Sequence, residues 1–399
     1  MYDVAIVGAG ASGMVAAISA KREKPKLKIV LIEALPRIGK KILATGNGRC
    51  NLTNYSAKSG VYNSPSVTPL LDKYPPERVV DFFSSIGLEC VADSESRVYP
   101  SSNMATSVLD CLRFELERLG IEILTETKVT AVRKTNGIFI INSSIRAKRL
   151  ILSTGGKASP SQGSDGSGYE LLRGLNHTVT PLYSGLVQLT VKEDVKQLKG
   201  IRAKAEVSLR TVEGKTIDSS SGEVLFTDYG LSGIAIMDIS RSVRSRNCEC
   251  GLNILPDLTT EDVEAFLKRA AERNPLQSLE DALTGLIPKN LGRYIIKHIG
   301  FRSDITVGTI NNKQRYVFAD SLKNLKFVIT GTKGFENAQV TVGGADTDEF
   351  DMSTLESKMV KGLYCTGELL DVDAPCGGFN LQWAWASGIA AGKSCSRSL

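Results

Sequence analysis

The stretch that decides the fold is YDVAIVGAGASG, residues 2–13. Its first six residues are mostly apolar and predict a short buried strand, and the glycines after them predict a tight turn. Alanine-rich sequence over residues 12–22 predicts a helix that ends before Pro25, and residues 27–32 predict a second strand. This βαβ pattern predicts a parallel sheet with a right-handed crossover.

The turn between the first strand and the helix has the pattern G-x-G-x-x-G. Gly8 permits the tight turn, Gly10 lets the backbone approach a pyrophosphate, and Gly13 lets helix and strand pack closely. Glu33 ends the second strand, where a carboxylate suits ribose hydroxyls and disfavours a 2′-phosphate. We therefore expect a dinucleotide site; the alternative is a glycine-rich turn that binds nothing.

A second candidate segment is KKILATGNGRCN, residues 40–51. Its glycines, Arg49 and Asn51 can wrap a cofactor with backbone and side-chain donors, and the alternative is a flexible surface loop. Cys50 is either redox-active or a packing contact, and no second cysteine is near it in sequence.

A third candidate segment lies near the C-terminus. A strand over residues 363–366 ends at Gly367 and Glu368, and Gly377 and Gly378 lead into an alanine-rich helix. Glu368 is a candidate for ribityl hydroxyls, and the helix N-terminus is a candidate partner for the pyrimidine edge of a reduced flavin. The alternative is an acidic loop followed by an ordinary helix.

The rest of the chain indicates a second structural class. Residues 129–132 and 138–141 predict a hairpin around Asn136-Gly137. Residues 75–100 predict short helices and loops. Short alternating stretches over residues 186–255 predict an antiparallel barrel or sandwich, and residues 259–300 predict helices.

Composition excludes several classes of function. The chain has 399 residues, 42% of them hydrophobic and 23% charged, with a formal net charge of +6 that is scattered rather than clustered. We therefore expect no nucleic-acid partner. Cys248 and Cys250 lack a second ligand pair, so we expect no metal. Eight spread cysteines, no leader and no apolar run of about 18 residues predict a cytoplasmic protein without a membrane span.

These motifs resemble the BaiN/RdsA family of FAD-dependent oxidoreductases over nearly the whole chain. The resemblance is carried by Gly8-x-Gly10-x-x-Gly13 with Glu33, Gly39-Lys40-Lys41, Gly48-Arg49-Cys50-Asn51, Ser153-Thr154-Gly155-Gly156, Gly222-Glu223-Val224-Leu225-Phe226-Thr227, Thr341-Val342-Gly343-Gly344 and Gly378-Phe379-Asn380-Leu381-Gln382. It implies an α/β fold with a Rossmann-like FAD-binding domain, which has a parallel sheet and a β-hairpin, plus an inserted antiparallel β-barrel and a small helical cap. The expected domains are residues 1–185 with 343–399 for FAD, 186–255 with 311–342 for the barrel that takes the substrate, and 256–310 for the cap.

The resemblance also implies the function. We expect a small-molecule substrate, reduction of a conjugated double bond in an enone such as a 3-oxo-Δ4 steroid or bile-acid intermediate, and NAD(P)H as a transient electron donor. The alternatives are an amine oxidase of the aminoacetone oxidase type, which uses oxygen and releases peroxide, and an RNA-modifying accessory protein. Tyr229 and Tyr183 are weak candidates for the catalytic proton donor. The oligomeric state stays open.

The residues expected to bind FAD come from both ends of the sequence. They are Gly8, Ala9, Gly10, Ala11, Ser12, Gly13, Glu33, Ala34, Lys40, Lys41, Gly46, Arg49, Cys50, Asn51, Val129, Thr154, Gly155, Gly156, Gly367, Glu368, Asp373, Gly378, Phe379, Asn380 and Gln382.

Overall fold

The computed structural model describes residues 1–244 and 248–399, in two compact units. The first unit is Met1–Ser184 with Phe335–Leu399, and the second unit is Gly185–Gly334. The expected assignment of FAD, substrate and cap roles to three domains stays a prediction.

The strands and helices are numbered in chain order. The strands are β1 (Tyr2–Val7), β2 (Ile29–Ile32), β3 (Thr53–Asn54), β4 (Cys90–Ala92), β5 (Arg97–Pro100), β6 (Glu122–Leu124), β7 (Val132–Thr135), β8 (Ile138–Ile141), β9 (Ile145–Leu152), β10 (Tyr183–Gly185), β11 (Leu189–Val191), β12 (Arg202–Thr211), β13 (Thr216–Phe226), β14 (Gly230–Ser232), β15 (Cys248–Asn253), β16 (Leu325–Thr332), β17 (Val340–Val342) and β18 (Leu363–Cys365). The helices are α1 (Ala11–Glu23), α2 (Lys40–Ala44), α3 (Thr68–Lys73), α4 (Pro76–Ser84), α5 (Ala105–Arg118), α6 (Ser167–Gly174), α7 (Ile234–Ser240), α8 (Thr260–Arg273), α9 (Leu279–Ala282), α10 (Lys289–His298), α11 (Asn312–Lys323) and α12 (Phe379–Arg397).

The main sheet of the first unit has the strand order β6-β2-β1-β9-β8-β7, and β18 also pairs with β9. The strands β6, β2, β1, β9 and β18 run parallel, which confirms the predicted parallel sheet. Because parallel strands end at the same edge, the segments that follow β1, β2, β9 and β18 meet there. That edge carries the glycine turn, Glu33, the segment 153–156 and Gly367.

The hairpin forms at the predicted turn but with a different first strand. Asn136 and Gly137 both have positive φ, 50° and 78°, as a tight hairpin turn requires. The prediction that residues 129–132 form a strand is wrong for all but the last residue, because β7 begins only at Val132. The side chain of Asn142 accepts the backbone N–H groups of Thr130 and Ala131, which holds this segment as a loop.

A small antiparallel sheet, β3-β5-β4, lies within residues 53–100 of the first unit. Residues 75–100, expected to hold only helices and loops, contain β4 and β5. These strands are too short to produce a recognisable alternation, and they form because β5 pairs with β3 on one side and with β4 on the other.

The second unit is built on a closed barrel with the strand order β11-β14-β13-β12-β15-β16. The alternating pattern of residues 186–255 fits a barrel or a sandwich, and the structure shows a barrel. Its interior is filled by apolar side chains such as Val207, Leu209 and Phe327. Helices α8 to α11 contribute to the same hydrophobic core.

Cys248 and Cys250 lie on β15 and are buried in the core of the second unit. Burial raises the pKa of Cys250 to about 12, so its thiol stays protonated at neutral pH. Among the described residues, no group of three or more His, Cys, Asp or Glu side chains is placed to hold a metal ion. In the same described ranges, we find no helix with the length and apolar character needed to cross a membrane.

The first and last helices of the first unit pack with their backbones in contact. A Cβ placed on Gly388 would lie 2.4 Å from the carbonyl oxygen of Ser12, and one on Gly392 would lie 2.3 Å from that of Ala16. Both distances are too short for any side chain, so α12 approaches α1 only because these two positions are glycine. The contacts advance together along both helices, so α1 and α12 run parallel.

We predict that Gly388→Ala destabilises the protein by about 1–3 kcal/mol, because the new methyl group must push α12 away from α1. The measurement is urea denaturation followed by circular dichroism. Gly174→Ala is the matched control, since Gly174 is helical and a Cβ there meets no atom within 4 Å. Equal stability of the two variants would contradict the close packing.

Candidate dinucleotide site

The glycine turn after β1 is fixed by the backbone around it. Gly8 has a φ of 101°, and its N–H donates to the carbonyl of Ile32 at 2.8 Å. A Cβ on Gly8 would lie 2.4 Å from the carbonyl oxygen of Ser153, and one on Gly13 would lie 1.9 Å from the carbonyl oxygen of Gly8. The fold itself therefore requires glycine at both positions.

Gly10 differs from its two neighbours in the motif. It is the N-cap of α1 with an ordinary φ of −84°, it is half-buried, and a Cβ there would meet no protein atom within 4 Å. No side chain caps α1, and no acidic residue lies in its first turn. The N–H groups and partial positive charge of this helix end therefore face an open space suited to an anion such as a pyrophosphate.

Glu33 lies at the rim of this space and is tied to its backbone. One carboxylate oxygen accepts the N–H of Ala9 at 3.0 Å, and the other accepts the N–H of Leu35 at 2.9 Å. Glu33 therefore holds the turn in place while remaining half-exposed beside it. Both oxygens keep a free lone pair for a ligand hydroxyl.

The segment after β9 closes one side of the site. Gly155 has a φ of 72°, and a Cβ on Gly156 would lie 2.3 Å from the Oγ1 of Thr341 and 2.8 Å from a carboxylate oxygen of Glu368. The Oγ of Ser164, close to Gly155, is buried and has no hydrogen-bond partner. Sequence reasoning did not select Ser164, because a lone serine in a loop gives no signal.

An ion pair joins the two ends of the chain at this site. The Nζ of Lys41 donates to a carboxylate oxygen of Glu368 at 2.8 Å and to the carbonyl of Ala158 at 3.1 Å. The other oxygen of Glu368 accepts the N–H of Thr341 at 2.7 Å, and the Oγ1 of Thr341 accepts the N–H groups of Lys157 and Ala158. Thr341 belongs to one of the family motifs but is not among the residues expected to bind FAD. Only the folded chain places it beside Glu368.

The loop of residues 45–51 is held in a left-handed conformation. Gly46, Asn47, Gly48 and Cys50 all have positive φ, from 55° to 83°. The guanidinium of Arg49 lies 4.9 Å from the ring centroid of Tyr99.

Cys50 is fully buried, and burial raises its pKa to about 12. Its thiol is therefore protonated at neutral pH, which favours the packing interpretation over redox chemistry.

The N-terminus of α12 has no side-chain cap and packs closely against the segment 51–53. Gly378 has a φ of 99°, and a Cβ there would lie 2.6 Å from the carbonyl oxygen of Thr53 and 2.7 Å from the Oδ1 of Asn51. That Oδ1 is buried and accepts no hydrogen bond. A buried acceptor without a donor costs roughly 1–3 kcal/mol, so it indicates that a ligand N–H or O–H belongs there.

The N-terminal ends of α1 and α12 point in the same direction. Because Gly388 lies against Ser12 and the helices are parallel, α12 begins about eight residues, roughly 12 Å, before α1 does. A long ligand with phosphates at one end and a hydrogen-bonding ring at the other can therefore contact both helix ends.

Two of the expected site residues use their polar atoms within the protein. The amide of Asn380 bonds the backbone of Ala374 and Pro375. Gln382 is fully buried and bonds the Oγ1 of Thr53 and the carbonyl of Tyr74. The side chains of both residues hold the loop before α12 and its start in place, and their contact with a ligand stays a prediction.

The remaining expected residues are spread over several segments of the first unit. Thr154 follows β9, and Lys40 donates to the carbonyl of Ser161. The backbone of Asp373 bonds Asn63 in both directions, and Val129 is buried in the loop before β7. The others lie on the segments already described, namely Ala9, Ala11, Ser12, Ala34, Gly367 and Phe379.

The two tyrosine candidates lie in different units. Tyr183 belongs to the first unit and Tyr229 to the second. The ring of Tyr229 lies 4.5 Å from the Nζ of Lys333. Both tyrosines stay candidates for the proton donor.

A second polar cluster in the first unit has the atom order of a hydrolase triad. Glu349 lies 2.7 Å from the Nδ1 of His177, whose Nε2 lies 3.0 Å from the Oγ of Ser357. Ser357 is buried, and its Oγ also accepts the N–H groups of Met359 and Val360. This hydroxyl has no lone pair left for attack on a substrate, so the cluster fastens a loop rather than catalysing hydrolysis.

The donor set of the first site fits FAD. The open space at Gly10 accepts a pyrophosphate beside the α1 N-terminus, and Glu33 lies where ribose hydroxyls would follow. The unpartnered Oδ1 of Asn51 and the uncapped N-terminus of α12 suit the donors and the negative charge of a reduced flavin ring.

Comparisons with known proteins agree with this fold. A family model described as "HI0933-like protein Rossmann domain" matches residues 2–394. The chain is 37% identical over 408 residues to the 3-dehydro-bile acid Δ(4,6)-reductase of Clostridium scindens, with 99% of each chain covered. It is 30% identical over 399 residues to the ribosomal RNA dihydrouridine synthase of Escherichia coli, covering 98% of this chain and 97% of that one.

A solved structure is similar at the level of the fold. It is the 3-ketosteroid Δ1-dehydrogenase from Sterolibacterium denitrificans in complex with 1,4-androstadiene-3,17-dione, with a TM-score of 0.51, 10% identity and 100% of each chain covered.

We predict that Gly10→Val yields a folded protein that no longer binds FAD, because the new side chain fills the space expected for the pyrophosphate without touching protein. Gly13→Ala is expected to disrupt the fold itself, since its Cβ would lie 1.9 Å from the carbonyl oxygen of Gly8. Flavin absorbance after purification and thermal unfolding separate the two effects. A folded Gly10→Val variant that is fully yellow would place the pyrophosphate elsewhere.

We predict that Glu33→Ala weakens FAD binding by about 1–3 kcal/mol, the range of a lost charge-assisted hydrogen bond. The measurement is titration of apoprotein with FAD by fluorescence quenching. Glu170→Ala, which removes an exposed carboxylate from α6, serves as the control and should leave the affinity unchanged. Equal affinity in both variants would show that Glu33 does not contact the ribose.

Proposed function

The chain belongs to the HI0933-like Rossmann family, a family of flavoprotein oxidoreductases, and on that premise we propose that it reduces a carbon–carbon double bond conjugated to a carbonyl. NAD(P)H is the proposed electron source and FAD the proposed cofactor. The proposed substrate is a small molecule with an enone, such as a 3-oxo-Δ4 steroid or a bile-acid intermediate.

Two observations together support the proposal. The chain leaves open space at Gly10 beside the uncapped N-terminus of α1, and it matches over its whole length a relative named for reducing Δ(4,6) bonds of a 3-dehydro bile acid. A second full-length relative is named for dihydrouridine synthesis, which also saturates a double bond conjugated to a carbonyl. The shared chemistry supports the reaction class more strongly than any one substrate.

Several segments of the chain would each have a separate role in binding FAD. Bound FAD supplies the two-electron chemistry. The turn of Gly8–Gly13 would hold the pyrophosphate at the α1 N-terminus, and Glu33 would orient the adenosine ribose. The N-terminus of α12 would stabilise negative charge on the reduced flavin, and Asn51 would accept a hydrogen bond from it.

The pair Lys41–Glu368 would keep the wall of the flavin site closed. Because Glu368 is bonded on both oxygens, it fixes the positions of the segments that contain Thr341 and Ala158. In this proposal residues 1–185 and 343–399 bind FAD together with Thr341, which lies in the first unit, the barrel residues of 186–255 and 311–342 select the substrate, and residues 256–310 form a cap.

The experiment that tests the reaction is anaerobic reduction of the purified protein with NADH or NADPH. The reduced protein is then mixed separately with a 3-oxo-Δ4 steroid, with its saturated analogue, and with air. We expect the enone to restore the oxidised flavin spectrum within one turnover and to yield the saturated ketone, and the saturated analogue to have no effect. The Gly10→Val variant is the control for chemistry that does not need bound flavin.

Other outcomes identify the other candidates. Peroxide formed with an amine substrate, without use of the enone, would replace the proposal with an amine oxidase. Dihydrouridine formed in ribosomal RNA, with no reaction of the free enone, would favour the RNA-modifying function that the second relative's name suggests. Failure of both nicotinamides to reduce the flavin would remove NAD(P)H as the donor.

A further inference from the structure

A cavity of about 360 Å³ lies within the second unit, where the barrel meets its helices. Its size falls within the range of small-molecule pockets. Three segments form its walls, namely the start of β12, the loop that follows β15, and the start of α10 with the residues before it. None of its lining residues belongs to the FAD cradle.

The walls of this cavity are mainly apolar. Ile254, Leu255, Leu258, Leu286 and Leu291 line it with side chains that range from buried to half-buried. These side chains pack against the core of the second unit on one side and face the cavity on the other, so an apolar occupant would remove their exposed area from water.

The rim carries two cations on one strand. Arg202 and Lys204 are separated by one residue on β12, so they lie on the same face. Arg202 pairs with Glu223, and Lys204 lies 3.5 Å from Asp257. All four side chains are at least 47% exposed, so these pairs are weak and can exchange for another anion.

The third wall adds positive potential. The cavity is lined by Pro288, the N-cap of α10, and by Leu291 in its first turn. No side chain caps this helix, and its first turn contains no acidic residue. The partial positive charge of this helix end therefore adds to the charge of Arg202 and Lys204.

The loop that forms the second wall is rigid. The Nζ of Lys323 donates to the carbonyls of Leu255 and Leu258, and a capping box between Thr259 and Asp262 starts α8 directly after the loop. On the opposite wall, β15 pairs with β12 only from Glu206 onward, so residues 202–204 have a neighbouring strand on the β13 side alone. The cavity is therefore built into the fold.

We propose that this cavity binds an amphipathic carboxylate, with its apolar body among Leu255, Leu286 and Leu291 and its carboxylate at Arg202 and Lys204. The site lies wholly in the second unit and goes beyond the proposed reductase function, since it does not depend on FAD. An acyl chain that ends in a carboxylate has this chemistry.

The test is isothermal titration of the full-length, FAD-loaded protein with decanoate and, separately, with 1-decanol. We expect decanoate to bind to one site at least tenfold more tightly than 1-decanol. The double variant Arg202→Ala/Lys204→Ala should weaken decanoate at least tenfold and leave 1-decanol unchanged. The variant Leu286→Asp should weaken both ligands, because it places a carboxylate in the apolar wall.

The matched control is Lys215→Ala/Lys313→Ala, which also removes two exposed positive charges from the second unit but none from the cavity. It should bind decanoate like the native protein. Absence of decanoate binding to the native protein, or equal binding to the Arg202→Ala/Lys204→Ala variant, would overturn the proposal. Because no turnover is measured, these outcomes are independent of whether an enone is reduced.

Discussion

The contact on which the first unit depends is the approach of α12 to α1, backbone against backbone, at Gly388 and Gly392. The last helix of the chain thereby becomes part of the βαβ unit that begins it. The same helix binds Gly367 from two sides, since Ser387 accepts its N–H and Trp383 donates to its carbonyl. The C-terminal residues are thus fixed beside the glycine turn by packing that tolerates no added methyl group.

Polar contacts set the details of the site that this packing creates. Glu33 bonds the backbone of the turn, and Glu368 bonds Lys41 and Thr341, so both carboxylates are held in place without a ligand. Two other positions are not used within the protein: Gly10 leaves an open space, and the Oδ1 of Asn51 accepts no hydrogen bond. Side chains that are already fixed lose little conformational freedom when a ligand binds. A site with fixed walls and a few free hydrogen-bonding positions therefore suits a tightly bound cofactor.

The second unit follows a different design. Its barrel core is closed by strand pairing and filled by apolar side chains, while the cavity between β12, the loop after β15 and α10 leaves apolar surface open under a cationic rim. The two units therefore offer different chemistry. The first has hydrogen-bond donors and helix ends suited to phosphates, and the second has an apolar cavity suited to an amphipathic anion.

The sequence by itself determined the βαβ start, the turn at Asn136-Gly137 and the parallel sheet, because these depend on local periodicity and on glycines at fixed spacing. It could not place Thr341 beside Glu368, the sheet β3-β5-β4, or the loop at residues 129–131, because each depends on partners distant in the chain or on a single side chain such as Asn142. The G-x-G-x-x-G motif predicts a ligand-facing role for Gly10 and packing roles for Gly8 and Gly13, and only the structure supplies the distances: a Cβ on Gly8 or Gly13 would overlap a backbone carbonyl, whereas one on Gly10 would meet no protein atom. Those distances exist only between atoms that folding brings together, so no spacing in the sequence contains them.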